Sequence, residues 1–250
     1  MSWLLGAALA GAIALGAYYA RLLTAGGAWA AVLVGTSVFG VGGVWASLPM
    51  IAFFATSSLL PRALGRPHRP EQRTAAQVWA NGLAPTLCCW GILLYPWRES
   101  AFWQGYCASL AAAAADTWAT EFGTQFAKGA RHLTTGKPVP KGTSGALSNE
   151  GTIGGLLGAF LIAAACWPIV GGPTRLFITA GLGFGGMLLD SLLGATLQAR
   201  FACPSCRKEG ERRICCGVLA TPVRGLSWVD NNAVNLLSTL CVAAVGVWVG

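Results

Sequence analysis

Charge is what this 250-residue sequence has least of. Asp, Glu, Lys and Arg make up 10% of it against 54% hydrophobic residues, and the mean hydropathy is +0.57. A soluble domain carries roughly 25% charged residues. The composition therefore excludes one and identifies an integral membrane protein. Acidic residues are scarcer still, nine against seventeen Lys and Arg, giving a formal charge of +8. In a membrane chain such a surplus reports topology before it reports nucleic acid, which is not expected as a partner. The sequence also lacks a convincing internal repeat, a low-complexity tail and a basic leading region before its first apolar stretch. The end of that stretch, "LGAYYARLL", is a poor cleavage site, so it reads as a retained helix. A single membrane domain over residues 1–250 is the simplest division.

What is present are apolar runs long enough to cross the hydrocarbon core, which takes about 20 residues. They lie near Trp3–Ala20, Thr74–Tyr95, Ser100–Phe122, Gly151–Val170, Leu176–Ala199 and Trp228–Val249. The stretch from Gly26 to Pro61 is too long for one crossing, and "FGVGG" predicts a hairpin of two helices turning at Gly40–Gly43. The expected fold is all-α, a polytopic bundle of about eight transmembrane helices with a small Cys-rich loop at residues 200–224.

With eight crossings, the loops at Arg21, Arg62–Arg73, Lys128–Lys141 and Arg200–Arg224 share one side and hold fifteen of the seventeen basic residues. Arg98 and Arg175 fall opposite. The positive-inside rule assigns the four loops to the cytoplasm and both termini to the outside. The same topology collects Asp116, Glu121, Asp190 and Asp230 in the cytoplasmic half of their helices or at its edge. A charge inside a membrane helix costs roughly 2.5–3.5 kcal/mol on insertion scales, so each needs a metal, a basic side chain or water. The blander account pairs each with an Arg or makes it a helix cap, as Asp230 before "NNAVN" can be.

Polar residues gather around these acids. Gln77 and Asn81 stand four apart on one helical face, as do Asn231 and Asn235, with Asn232 beside them. Ser191 and Gln198 follow Asp190, and Thr120 precedes Glu121. Interhelical hydrogen bonding would also account for such amides. Between two helices, "TTGKPVPKGTSGALSNEGT" supplies Lys137, Lys141, Gly142, Thr143, Ser144 and Gly145. Glycine lets backbone N–H groups approach an anion, hydroxyls donate to it and lysine adds charge, a combination suited to phosphate. The segment fails the nucleotide-binding pattern G-x-x-x-x-G-K-[ST], since six residues separate Gly129 from Gly136 and Pro138 follows Lys137. A flexible basic loop that obeys topology is the alternative.

Carboxylates able to hold Mg²⁺ opposite a basic glycine-rich loop describe phosphate chemistry on a membrane-embedded substrate. These residues alone do not separate a kinase from a nucleotidyl or phospho-alcohol transferase. A transporter or flippase of a phosphorylated lipid, or an enzyme of CDP-lipids or phospholipid head groups, would use similar groups. Transport is disfavoured because the charged positions collect in one leaflet instead of tracing a route across it. Separately, Cys203 and Cys206 have C-x-x-C spacing, and Cys215 and Cys216 return soon after, a set able to form a tetrahedral zinc knuckle. Reduced free thiols or a labile disulfide are the alternatives. The other five cysteines read as packing.

The motifs "RTAAQVWANG", "ADTWATEFG", "KGTSGALSNEGT", "LLDSLLGATLQ" and "DNNAVNLLST" resemble, in that order, those of the domain-of-unknown-function 92 family. That integral membrane family includes transmembrane protein 19 and phytyl-phosphate kinase. The resemblance implies transfer of a phosphoryl group from a nucleoside triphosphate, CTP favoured, to a prenyl monophosphate. It casts Asp116, Glu121 and Asp190 as Mg²⁺ ligands or their outer partners, with Lys141, Arg73 and Lys137 neutralising phosphates.

Overall fold

The computed structural model describes residues 2–65 and 72–250. Arg66 and Arg69, part of the expected cytoplasmic basic set, lie outside the described residues. The helices are α1 (Trp3–Tyr19), α2 (Ala25–Ala63), α3 (Ala75–Leu94), α4 (Glu99–Phe126), α5 (Asn149–Ala165), the four-residue α6 (Trp167–Val170), α7 (Pro173–Thr196) and α8 (Asn231–Val249). By length and composition α2, α7 and α8 are apolar and long enough to cross a membrane, and α1 and α5 are shorter apolar helices.

Within α2, Gly43 takes φ 62° and ψ −152°, a conformation that only glycine adopts readily. Leu22, just before α2, and Ser57 and Ser58, near its end, line the same cavity. The element is therefore a hairpin of two arms, and among the described residues the bundle has eight long helical arms. Tyr106 of α4 fastens the second arm by donating to the Ala46 carbonyl at 2.5 Å. The expected span Gly151–Val170 ends earlier, at Ala165, because Pro168 cannot continue the helix and begins the separate turn α6. The last span likewise starts at Asn231, where Asp230 caps α8.

The bundle is organised around α4, whose run of alanines from Ala111 to Ala115 is fully buried. Small residues let neighbouring backbones close on it, since lipid offers no hydrophobic drive between helices. A Cβ on Gly158 of α5 would sit 2.8 Å from the Ala114 carbonyl, and one on Gly183 of α7 would sit 2.6 Å from the Ala111 Cβ. Gln104 of α4 adds a buried hydrogen bond to Thr179 of α7 at 2.9 Å. Aromatic side chains project outward at both ends, with Trp97 and Trp248 at one and Tyr19, Trp29 and Trp228 at the other, the pattern of interfacial belts. Arg98 and Arg175 stand at the first end, donating to the Val247 carbonyl and to Ser100.

At the opposite end the two longest described loops fold into small antiparallel ribbons, an addition to the all-α expectation. β1 (Ala130–His132) lies between β2 (Pro138–Val139) and β3 (Ala146–Leu147). In the second loop β4 (Arg200–Ala202) lies between β5 (Glu209–Gly210) and β8 (Thr221–Arg224), with β6 (Ile214–Cys215) paired to β7 (Val218–Leu219). Strands of two to four residues carry no readable alternation, so the sequence did not announce them.

Candidate functional site

A cavity of about 910 Å³ opens at the end of the bundle that carries the ribbons. Arg73 reaches it from the loop before α3, Gln77 and Asn81 from α3, and Asp116, Thr120 and Glu121 from α4. Lys141, Gly142, Thr143, Ser144 and Gly145 form another wall. Asp190 and Ser191 of α7 join it with Gln198, and Asp230, Asn231, Asn232 and Asn235 line it from the start of α8. Lys137 is the exception: it sits exposed in the β1–β2 turn, off the cavity wall. That turn is folded outward by Gly136 N–H donating to the His132 carbonyl and by Lys137 N–H donating to Thr135.

The acids occupy different settings. Asp116 and Asp190 face one another from α4 and α7 within side-chain hydrogen-bonding reach. Asp190 accepts from Ser238 at 3.1 Å. With its amide turned to suit both neighbours, Asn235 donates to Asp190 Oδ2 at 2.9 Å and to the Asn231 carbonyl at 3.2 Å. Asp230 is a helix cap: Oδ1 accepts from Ala233 N–H at 2.9 Å and Oδ2 from Asn232 at 3.4 Å. Its carboxylate thus caps α8 while standing on the cavity wall with the residues it was grouped with. Gln77 is similarly engaged in a capping box with Thr74, and Asn81 donates to the Gln77 carbonyl at 3.3 Å.

Arg73 is held in place by backbone pairing with Leu22 and Thr24, which ties the start of α2 to the start of α3. Burial lowers its pKa from the ordinary value, while the Glu121 carboxylate works in the opposite direction. The glycine-rich segment is shaped by Gly142 and Gly145, both at positive φ, and Gly145 lies flat against Ala195, where a side chain would collide. Among the described residues, no protein acceptor takes the N–H of Gly142, Ser144 or Gly145. The N-termini of α3, α5 and α8 meet the same space through Gln77, Gly151 and Asn231. Helix N-termini carry partial positive charge and unpaired N–H groups, so this wall favours an anion.

Several wall residues escaped the sequence reading. Arg21, Ser148, Thr152 and Glu211 all line the cavity. So do Ser57 and Ser58, whose buried hydroxyls have no protein partner among the described residues. The signal for the serine pair was a polar step in an apolar run at the same end of the bundle. Glu211 gave no signal, because only the folded loop brings it to Ser144, whose hydroxyl donates to it.

The cysteine loop forms a compact cluster. The sulfurs of Cys203, Cys206, Cys215 and Cys216 lie within 4.8 Å of one another, with Cys206–Cys215 and Cys215–Cys216 both at 3.8 Å. Tetrahedral Zn²⁺ with Zn–S near 2.3 Å requires S···S of about 3.8 Å, so the donor set fits the ion. Adjacent cysteines can share one centre here because Cys216 has φ 55° and Gly217 φ 75°, the two left-handed residues of a tight turn joining β6 to β7. Backbone donation from Cys206, foremost, and from Ser205 pulls the Cys203 thiol down to about 7. Hydrogen bonding to Cys203, then to Cys206 and Cys216, pushes Cys215 up to about 12. A metal bound by the four sulfurs would have to displace the protons that Cys215 holds, so its affinity would rise with pH.

The family described as "Integral membrane protein DUF92" matches residues 8–243. An uncharacterized membrane protein of Synechocystis is 28% identical over 91% of this chain and 82% of its own length. Protein PGR of Arabidopsis thaliana is 29% identical over 91% of this chain and 89% of its own. Protein VTE6, chloroplastic, of the same plant is 25% identical over 86% of this chain and 62% of its own. No solved structure matches the chain.

Proposed function

Because the chain belongs to the DUF92 family of integral membrane proteins, we propose that it is a membrane-embedded kinase that converts a prenyl monophosphate to the diphosphate with a nucleoside triphosphate, CTP favoured. The observation that carries this reading is one cavity in which Asp116, Glu121 and Asp190 meet the Lys141–Gly145 loop and three helix N-termini. The family resemblance to phytyl-phosphate kinase supplies the substrate class. The cavity is taken to face the cytoplasm of a bacterial cell, where nucleotide is available and where the basic residues belong.

The transfer needs little covalent help. The acceptor is a phosphate oxygen, largely ionised at neutral pH given a second pKa near 6, so no general base is required. It attacks the γ-phosphorus, the bond from that phosphorus to the β,γ-bridging oxygen breaks, and the electron pair leaves with the nucleoside diphosphate. The residues are asked to align two anions and to offset their charge. Arg73 and Lys141 supply positive charge, and the Gly142, Ser144 and Gly145 N–H groups supply donors. Asp116 and Asp190, with Glu121 nearby, offer the hard oxygen donors that Mg²⁺ prefers. Bound there, Mg²⁺ would screen the phosphates and the facing carboxylates alike.

Purified protein supplied with Mg²⁺, several prenyl monophosphates and several nucleotides is expected to form the prenyl diphosphate and one equivalent of nucleoside diphosphate. If no lipid on such a panel is converted while proteoliposomes move a lipid phosphate unchanged, the transporter reading replaces this one.

A further inference from the structure

A second, nearly apolar cavity of about 110 Å³ lies among α1, the two arms of α2, and α3. Its walls include Ala14 of α1, Val34 and Met50 of the two α2 arms, and Val78 of α3. Arg73, Gln77 and Asn81 line both this groove and the polar cavity, so the two spaces meet at those side chains. The Arg73 guanidinium marks the junction, with its Cζ 5.7 Å from the ring centroid of Phe53, itself a groove wall.

Resting on the kinase reading, we infer that this groove holds the hydrocarbon chain of the lipid monophosphate whose phosphate lies at Arg73. An ordinary bilayer lipid keeps its head group at the membrane surface and meets only the outer faces of the helices. A lipid whose phosphate is inside the polar cavity must lead its chain out through an apolar opening. The groove provides one beside the half-buried Arg73 guanidinium. It also has a floor. Along α1 it runs from Ala17 to Ala10, about 10 Å at 1.5 Å per residue. Past Ala10 the lining closes at Phe39, whose Cβ a side chain on Gly6 would meet at 3.2 Å, so α1 and α2 are nearly in contact there. A blind apolar slot of fixed depth discriminates chain length, because each methylene that fails to enter forfeits its transfer free energy.

The test is photo-crosslinking of the full-length protein in lipid nanodiscs, using a prenyl monophosphate with a diazirine at the far end of its chain. Label is expected on peptides carrying Ala14 or Val34. It should be displaced by unlabelled prenyl monophosphate, not by the corresponding alcohol, and Arg73→Ala should reduce it about tenfold. Ala14→Leu, which fills the slot, should raise the ratio of long-chain to short-chain competition constants about tenfold. Should that variant not fold, the label positions on the unmutated protein decide alone. Label confined to outward residues such as Leu94 or Phe177, or label that the monophosphate does not displace, overturns the groove assignment. Equal displacement by a two-chain phosphatidate overturns the single-chain occupant. Conversion of the lipid with outward labelling refutes the groove and spares the kinase, whereas displaceable groove labelling without conversion refutes the kinase and spares the groove.

Discussion

The helix cavity and the cysteine loop collect their reactive side chains in opposite ways. In the cavity, Asp116, Asp190 and Asn235 come from three helices and meet because small residues bring α7 and α8 against α4. In the loop, four cysteines meet within residues 203–216 because left-handed residues Arg207 and Cys216 turn the chain back on itself. The cavity therefore depends on the whole bundle, and it sets the Asp116 and Asp190 carboxylates facing one another. The loop depends on local turns, and its sulfurs complete one another. Chemistry is expected where the groups are left unsatisfied, and stability where they are satisfied.

The largest effect that could break this contrast is at the acids. Asp116→Asn and Asp190→Asn keep shape while removing charge from the Mg²⁺ donor set, and each is expected to lower diphosphate formation by about 10²–10³-fold. Thermal stability should hold or rise, since each change relieves two facing carboxylates of mutual repulsion. Near-normal turnover by both variants would remove the acids from the reaction. A large loss of stability would show that they belong to the fold in the way the cysteines are argued to.

The same contrast explains what the sequence disclosed. The cysteine cluster was visible as spacing, because its geometry is local. The acid cluster was visible only through topology: counting crossings and basic loops puts residues 116 and 190 at one end, and the bundle brings them together. Cap chemistry was less legible. "DNNAVN" fits a polar wall and an N-cap equally well, and only the bond from Ala233 N–H assigns Asp230 to the cap. Lys137 stands apart from Lys141 because it ends the tight β1–β2 turn, from which β2 leads the chain on to the cavity wall, and no periodicity in so short a segment reveals that turn. Ser144–Glu211 was invisible altogether, as it joins residues 67 apart from two different loops.

A middle-sized effect would sharpen the loop's side of the comparison. If the cluster holds about one structural Zn²⁺, metal analysis under reducing, chelator-free conditions should return one zinc per chain. Cys203→Ser should then lower the melting temperature by more than about 4 °C, a loss of one to two kcal/mol on the usual scaling, while the rate of the folded fraction changes less than it does for the Asp variants. Zinc-free protein of unchanged stability would reduce the cluster to four thiols that happen to be near one another.

The smallest effect lies where the ribbons of the two loops touch. Arg224 of β8 lies 2.6 Å from His132 Nε2 of β1 and also donates to the Gly194 carbonyl at 3.0 Å, so it links both ribbons to α7. The His132 ring is buried, and that burial, foremost, with the Arg224 and Arg200 charges, lowers its pKa below the usual 6.5. The folded protein therefore binds this proton more weakly than the unfolded chain does. The stabilisation is fully present above about pH 6.5 and is lost as pH falls below it toward the folded value. Protonation would place a cation against Arg224 and remove the ring's acceptor, loosening the ribbon that carries the Lys141–Gly145 loop. Between pH 7.5 and 5.5 the melting temperature is expected to fall by about 2 °C more in the unmodified protein than in His132→Gln. Differential scanning fluorimetry across that range measures it. Parallel curves for the two proteins would mean that the ribbons do not share their stability through this contact.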